Sequence, residues 1–260
     1  MAKFLHDRLA PLVLVSLLVT LVGCAAHTMP EVHNETERLD LGKQLMSKGR
    51  YLDATDLFKS YIQRNAGTAQ VDGAICMLGQ CYLETRDWTL AQEQFERLLK
   101  DYPESDSAGS ASFLLGDALL GQSRPKDFDQ QYTQRAIDQW NDYLHRFPGH
   151  WRQSMAERRV LDARTQLAQK LVDTGNLYVK LRQWEPARVY YRRTIAEYRE
   201  TIPSADAEIG LAVVDAKLGK TTEALAALQD IEDRFPGRPV AGRAAIEKKK
   251  IEFRQARARH

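Results

Sequence analysis

Thiols are the most readily modified side chains of this sequence, and there are three, Cys24, Cys76 and Cys81. A thiol can be acylated, bridged to another or bound to zinc, and the spacing here separates one cysteine from the other two. Cys76 and Cys81 lie five residues apart in a helical stretch, where side chains diverge by about 140°. A bridge between them would strain the helix, so they read as small buried apolar residues. Neither the cysteines nor the six histidines, His6, His27, His33, His145, His150 and His260, fall at the paired spacings of a zinc site. His145 and His150 flank the "RFPG" stop and read as surface loop residues. No glycine-rich phosphate loop, GxSxG elbow or HExxH helix is present, and the carboxylates alternate with Lys and Arg as solvated i, i+4 partners do. No catalytic residue, metal or diffusible cofactor is expected, and the reading is not of an enzyme.

Cys24 stands apart because of what precedes it. Lys3 and Arg8 open an apolar run from Leu9 to Gly23 that only Pro11, Ser16 and Thr20 interrupt. Fifteen residues at 1.5 Å each reach about 22 Å, short of the roughly 30 Å hydrocarbon core of a bilayer. A basic start, a short apolar stretch and small residues at its end have the order of a secretory signal. Leu21, Val22, Gly23 and Cys24 are similar to a bacterial lipobox at all four positions, which implies removal of residues 1–23 and a covalent lipid on Cys24. An ordinary signal with an incidental cysteine and an uncleaved anchor are the competing readings. Several acyl chains on one residue make attachment durable, since each buried CH₂ contributes about 0.8 kcal/mol. Ala25 and Ala26 follow, with no aspartate beside the cysteine; by similarity to the sorting rule of many such lipoproteins, this favours the outer membrane, facing the periplasm.

Two basic stretches could bind rather than react. "PARVYYRRTIAEYRE" places Arg188, Arg192, Arg193 and Arg199 on one helix. Arg188 and Arg192 share a face and could grip a carboxylate, or the face is solvated with Tyr191 and Tyr198 turned inward. "RAAIEKKKIEFRQARARH" at the end has seven basic residues against two acidic ones, and reads either as a frayed, solvated helix or as a contact for acidic partners or lipid headgroups. The whole chain is nearly neutral, with 37 basic and 35 acidic residues, so no bulk excess argues for nucleic acid.

These residues must be positioned by helices. From Glu35 onward the periodicity is helical, with almost no strand pattern, and Gly, Pro and Asp clusters punctuate it. The helices repeat. In the clearest unit, Asp72 to Pro103, Leu78, Gly79 and Tyr82 lie on a first helix and Ala91 and Phe95 on a second. These spacings are similar to the tetratricopeptide repeat: Gly79 admits the second helix, Ala91 faces it, Tyr82 and Phe95 fill the seam, and Pro103 stops the helix. Gly42, Ala54 and Phe58 form an earlier set. Gly116, Ala136 and Trp140 form a third, delayed by an insertion around "SRPKDFDQQYTQ". Gly175, Tyr178, Ala187 and Tyr191 form a fourth, and Leu211, Ala212, Ala224 and Leu228 a weaker fifth. The stretch from Trp151 to Leu181 is expected as one long helix, or two meeting near residues 173–176. The fold expected is all-α: a lipoprotein signal at 1–23, a flexible tether at 24–34, a solenoid of about five helical hairpins at 35–240 and a basic tail at 241–260. Such arrays offer a concave face for extended peptides.

A lipobox ahead of five such repeats resembles the BamD family, lipoproteins of the outer-membrane β-barrel assembly machinery. The likeness runs from Glu35 to Pro236 and is densest at "DWTLAQEQFERLLKDYPESDSAGSASFLLG", "RAIDQWNDYLHRFPG" and "LAQKLVDTGNLYVKLRQWEPARVYYRRTIAEY". The resemblance implies a scaffold that binds the barrel-forming subunit through its later repeats, where Arg188, Arg192 and Arg193 sit, within a complex of further subunits. It also implies a groove for unfolded outer-membrane proteins, with Leu39, Lys43, Met46, Cys76, Gln80 and Leu83 as candidate lining. The chain departs from the pattern at Tyr190, where the family helix carries arginine, at "YRETIP", where proline comes late as Pro203, and in its basic end. Another periplasmic repeat lipoprotein, one coordinating cell-wall synthesis or envelope constriction, is the alternative.

Overall fold

The computed structural model describes residues 31–258, so Cys24, the signal segment and most of the tether lie outside the described residues. By internal contacts the chain divides into residues 1–38 and 39–260. In the first unit, Asn34 caps the start of helix α1 (Glu35–Ser47): the Glu37 amide donates to Asn34 Oδ1 at 2.8 Å, and the Glu37 carboxylate accepts from the His33 amide at 2.8 Å. This reciprocal pair satisfies two amides that a helix start leaves unpaired.

The second unit is built from helical hairpins. After α1 come α2 (Tyr51–Arg64), α3 (Val71–Glu84), α4 (Trp88–Asp101), α5 (Ala108–Gly121) and α6 (Gln131–Arg146). Then follow α7 (Gln153–Lys180), α8 (Trp184–Glu197), α9 (Ile202–Lys217), α10 (Thr221–Arg234) and α11 (Pro239–Ala258). From α2 onward each helix packs on the next, and α3 also meets α5, α7 meets α9 and α9 meets α11. Among the described residues no helix is long and apolar enough to cross a membrane.

One packing device recurs at the seam of four hairpins. A Cβ placed on Gly42 would lie 2.7 Å from the Phe58 ring, one on Gly79 2.6 Å from Phe95, and one on Gly175 2.6 Å from Tyr191. A Cβ on Gly116 would overlap the Trp140 indole, whose Nε1 donates to the Phe113 carbonyl at 3.1 Å. Only glycine lets these helices approach so closely. The fifth hairpin uses aliphatic packing instead, with Ala212, Ala224 and Leu228 buried together. Tyr191 has a second glycine against it, since a Cβ on Gly210 of α9 would also lie 2.6 Å from the ring.

The turns within hairpins are also alike. Gly49, Arg86, Arg182 and Gly219 all have positive φ, at 73°, 64°, 58° and 89°. The third hairpin lacks this turn because the insertion replaces it. There Gln130 gathers the loop: its Nε2 donates to the carbonyls of Arg124 and Pro125 at 3.1 Å, and its Oε1 accepts from Thr133 and from Gln166 of α7. Lys126 pairs with Asp173 and Lys170 donates to the Phe128 carbonyl, so the insertion is fastened to α7.

Trp151 to Leu181 contains one helix of 28 residues without a break at 173–176. Residues 241–258, read as part of a tail, are instead in a packed helix: Ala244 and Ile251 of α11 are buried against α9 and α10. The basic composition hid this, because the two buried positions are seven apart among charged neighbours.

Candidate functional site

The first helices of hairpins one to four turn one face each to a common groove of about 860 Å³. Lys43 and Met46 come from α1, Met77, Gln80 and Leu83 from α3, and Leu114, Asp117 and Leu120 from α5. Arg152, Met155 and Arg159 complete it at the start of α7. Within each helix these residues recur at intervals of three, four or seven, the spacing of one helical face. Trp88 closes one side, its indole against Gly121, where a Cβ would overlap the ring.

Of the six residues expected here, Lys43, Met46, Gln80 and Leu83 line the groove and two do not. Leu39 is 5% exposed and Cys76 is 4% exposed. Cys76 is covered because Gln80 Nε2 donates to its Sγ at 3.5 Å, and burial pushes the thiol above its ordinary value. Leu39 joins Gly42 and Leu45 in the interior of α1. Met77, Trp88, Asp117, Arg152, Met155 and Arg159 line the groove without having been singled out. The i, i+3, i+7 face of α3 pointed to Met77, but nothing local marks α5 and α7 as continuing that face.

The groove's charges are few and set in apolar surroundings. The Arg152 guanidinium lies over the Trp151 ring at 4.1 Å and the Phe113 ring at 5.1 Å, positions that favour a cation by the ring quadrupole. Its Nε is buried and donates no hydrogen bond among the described residues, and burial lowers its proton affinity. Asp117 pairs with Arg159 at 3.1 Å, yet burial raises its carboxyl above the ordinary value despite Arg159 and Arg152. Beside Arg152, His150 is a member of an aromatic cluster rather than a free loop residue: its Nδ1 is 2.7 Å from the Tyr143 hydroxyl, and burial lowers its pKa. Apolar side chains with three flexible methionines accept varied apolar groups. The unpaired Arg152 donor and the Lys43 and Arg159 cations add purchase for carbonyls or carboxylates of an extended chain.

The arginines of α8 behave differently. Arg188 turns inward to Asp215 of α9 at 2.7 Å, and Glu185 lies at 3.7 Å. Arg193 pairs with Glu197 at 2.9 Å on the surface. Arg192 alone of the three is exposed without an ion pair among the described residues. Arg188 and Arg192 therefore do not present a joint cationic face, and Tyr191 and Tyr198 are buried. Burial pushes the Tyr191 hydroxyl up to about 12, and it donates to Asn176 Oδ1 at 2.7 Å. Tyr190, the departure from the family pattern, stacks on Tyr178 at 5.4 Å. A second concavity of about 890 Å³ opens nearby, lined by Arg199, Ile202, Phe235, Arg238 and Val240, but none of those three arginines reaches it. Cys76 and Cys81 are free and buried, and burial raises Cys81 to about 11.

Stacked hairpins with a glycine-aromatic seam and a groove across their first helices define a tetratricopeptide-type repeat protein. The chain belongs to the YfiO family, described as outer membrane lipoprotein, which matches residues 33–224. It is similar to the outer membrane protein assembly factor BamD of Caulobacter vibrioides, 22% identical over 86% of this chain and 75% of that protein. Among solved structures, a thermophilic repeat protein of Thermus thermophilus covers 82% of this chain and 98% of its own, at 19% identity and a TM-score of 0.37. The TPR2AB domain of yeast Sti1, solved as a complex with pHSP90, covers 84% and 83% at 14% identity and a TM-score of 0.44.

Proposed function

We propose that this chain is a lipid-anchored scaffold of outer-membrane β-barrel assembly, attached through Cys24 and facing the periplasm. Unfolded outer-membrane proteins bind in the α1–α7 groove, and the barrel-forming subunit binds the later repeats. The observation that carries this reading is the groove: a methionine-rich, open face with one unmatched guanidinium donor suits an extended chain of variable sequence. Membership in an outer membrane lipoprotein family and the likeness to an assembly factor supply the setting. Complex formation with further assembly subunits follows from the same likeness.

The test is photo-crosslinking in intact cells from probes at Met77 and Arg192. Recovery of unfolded outer-membrane proteins from the first and of the barrel-forming subunit from the second supports the reading. Recovery of cell-wall enzymes without either would assign the chain to envelope constriction or cell-wall synthesis instead. Separately, Cys24→Ser should abolish palmitate labelling; retained labelling would overturn the anchor.

A further inference from the structure

Helix α11 lies beyond residue 224, where the family match ends, and its two faces differ in chemistry. Ala244 and Ile251 face the body and are buried. At 100° per residue, Ile246 and Phe253 point the opposite way, and they are 55% and 64% exposed. Two turns apart, they stand about 10 Å from each other along the axis.

The basic residues of this helix divide into paired and unpaired ones. Lys248, on the body side, pairs with Glu232 at 3.4 Å, and Arg243, one turn before Ile246 on the flank of the outward face, pairs with Asp206. Also turned outward or to the outer flank are Lys249, Lys250, Arg254 and Arg257, all exposed. Lys250 meets Glu247 at 2.6 Å; the other three form no ion pair among the described residues. Arg257 instead lies 6.0 Å from the centroid of the exposed Phe253 ring. Glu252 falls to one flank and Glu247 to the other, where it shares with Asp206, Arg243 and Ile246 a shallow concavity of about 310 Å³, so the cations surround the outward face most fully at Phe253.

We propose that the outward face of α11 rests on an anionic phospholipid surface, with Phe253 and Ile246 entering the interfacial layer and Lys249, Arg254 and Arg257 facing the headgroup phosphates. An apolar centre ringed by cations is what a helix lying in a membrane interface requires, because the apolar groups leave water while the charges remain at the phosphates. A planar polyanion needs no matched geometry from long side chains such as these, whereas an acidic protein would need its carboxylates placed against each one. The family's membrane location puts such a surface beside the protein.

The experiment uses the chain from residue 24 onward with Cys24→Ser, so that no acyl group contributes. It is sedimented with vesicles of phosphatidylethanolamine and phosphatidylglycerol, or of phosphatidylcholine alone. Binding to the anionic vesicles and not to the neutral ones is expected. Lys249→Glu with Arg257→Glu should lower the partition coefficient by about tenfold or more, and Phe253→Ser should lower it about threefold at unchanged charge. The pair Lys48→Glu and Lys100→Glu, exposed residues elsewhere with the same change in net charge, should leave binding within about twofold. Because every altered side chain is exposed, the melting midpoint should stay constant and exclude misfolding. Equal binding to neutral vesicles, an equal loss in the control pair, or no effect of Phe253→Ser would overturn the proposal; the last would indicate a face for an acidic protein.

Discussion

Arg152 and Arg188 are both partly buried arginines beside first-helix faces, but the groove and the fourth hairpin treat them in opposite ways. Arg188 is 14% exposed and faces Asp215, itself 17% exposed, across 2.7 Å, so its charge is answered within the fold, although its buried Nε, like that of Arg152, forms no well-directed hydrogen bond. Arg152 is held by rings, with a buried Nε left over. A buried donor without an acceptor costs free energy in the isolated protein, about 1–3 kcal/mol where it is fully desolvated. A bound chain that supplies the acceptor recovers it. What separates the two is the carboxylate: Arg188 has one within ion-pair distance on the next helix, and Arg152 has aromatic rings in its place, which residue type and helical position alone do not distinguish.

The strongest way to break this comparison is Asp215→Ala. Removing one partner of a largely buried pair leaves Arg188 uncompensated, and urea unfolding should show a loss of about 3 kcal/mol or more. Asp215→Leu combined with Arg188→Met should recover most of it, and neither change should alter peptide binding in the groove. Arg152→Met should do the reverse. It should weaken an extended outer-membrane-protein peptide by about tenfold in fluorescence anisotropy, about 1.4 kcal/mol, while the unfolding midpoint barely moves. If Arg152→Met destabilised the chain as much as Asp215→Ala, the two arginines would be doing the same job.

A smaller effect sharpens the contrast by showing what the regions share. Arg86 and Arg182 hold positive φ in the turns that lead to Trp88 and Trp184. Glycine has no side-chain penalty there, so Arg86→Gly and Arg182→Gly should each raise stability by about 0.5–1 kcal/mol in the same urea assay. Unequal gains would mean that the hairpins themselves differ. The smallest effect is one of pH. His150 has a folded pKa below its ordinary 6.5, so its contribution is fully present above pH 6.5 and is lost as pH falls through the lowered value. Unfolding midpoints should therefore drop between about pH 7.5 and pH 5.5, and His150→Gln should flatten that part of the profile.

Much of the architecture could be read from residue types. Gly79 with Phe95, and Gly116 with Trp140, announce their contacts because a ring lies against a missing Cβ at a fixed spacing. The insertion was equally visible as a delay before Ala136. The groove was legible only on α1 and α3. Its other half depends on how hairpins three and four stack, which no local spacing encodes, and so Asp117, Arg152 and Arg159 went unseen. Cys76 shows a second limit: it sits on the predicted face, and a neighbouring amide on the same helix covers it. Arg188 shows a third, since its partner is 27 residues away on the next helix.

Tyr191 lies between Gly175 and Gly210, so one ring is pressed from two sides by α7 and α9 while belonging to α8. Neither neighbour can peel away without uncovering the ring and its bond to Asn176. Hydrogen exchange in this part of the chain should thus report a single opening event shared by three helices, with common protection factors across the hairpin boundary. The repeat array is one-dimensional by construction, but at Tyr191 its unit of cooperativity is larger than its unit of repetition.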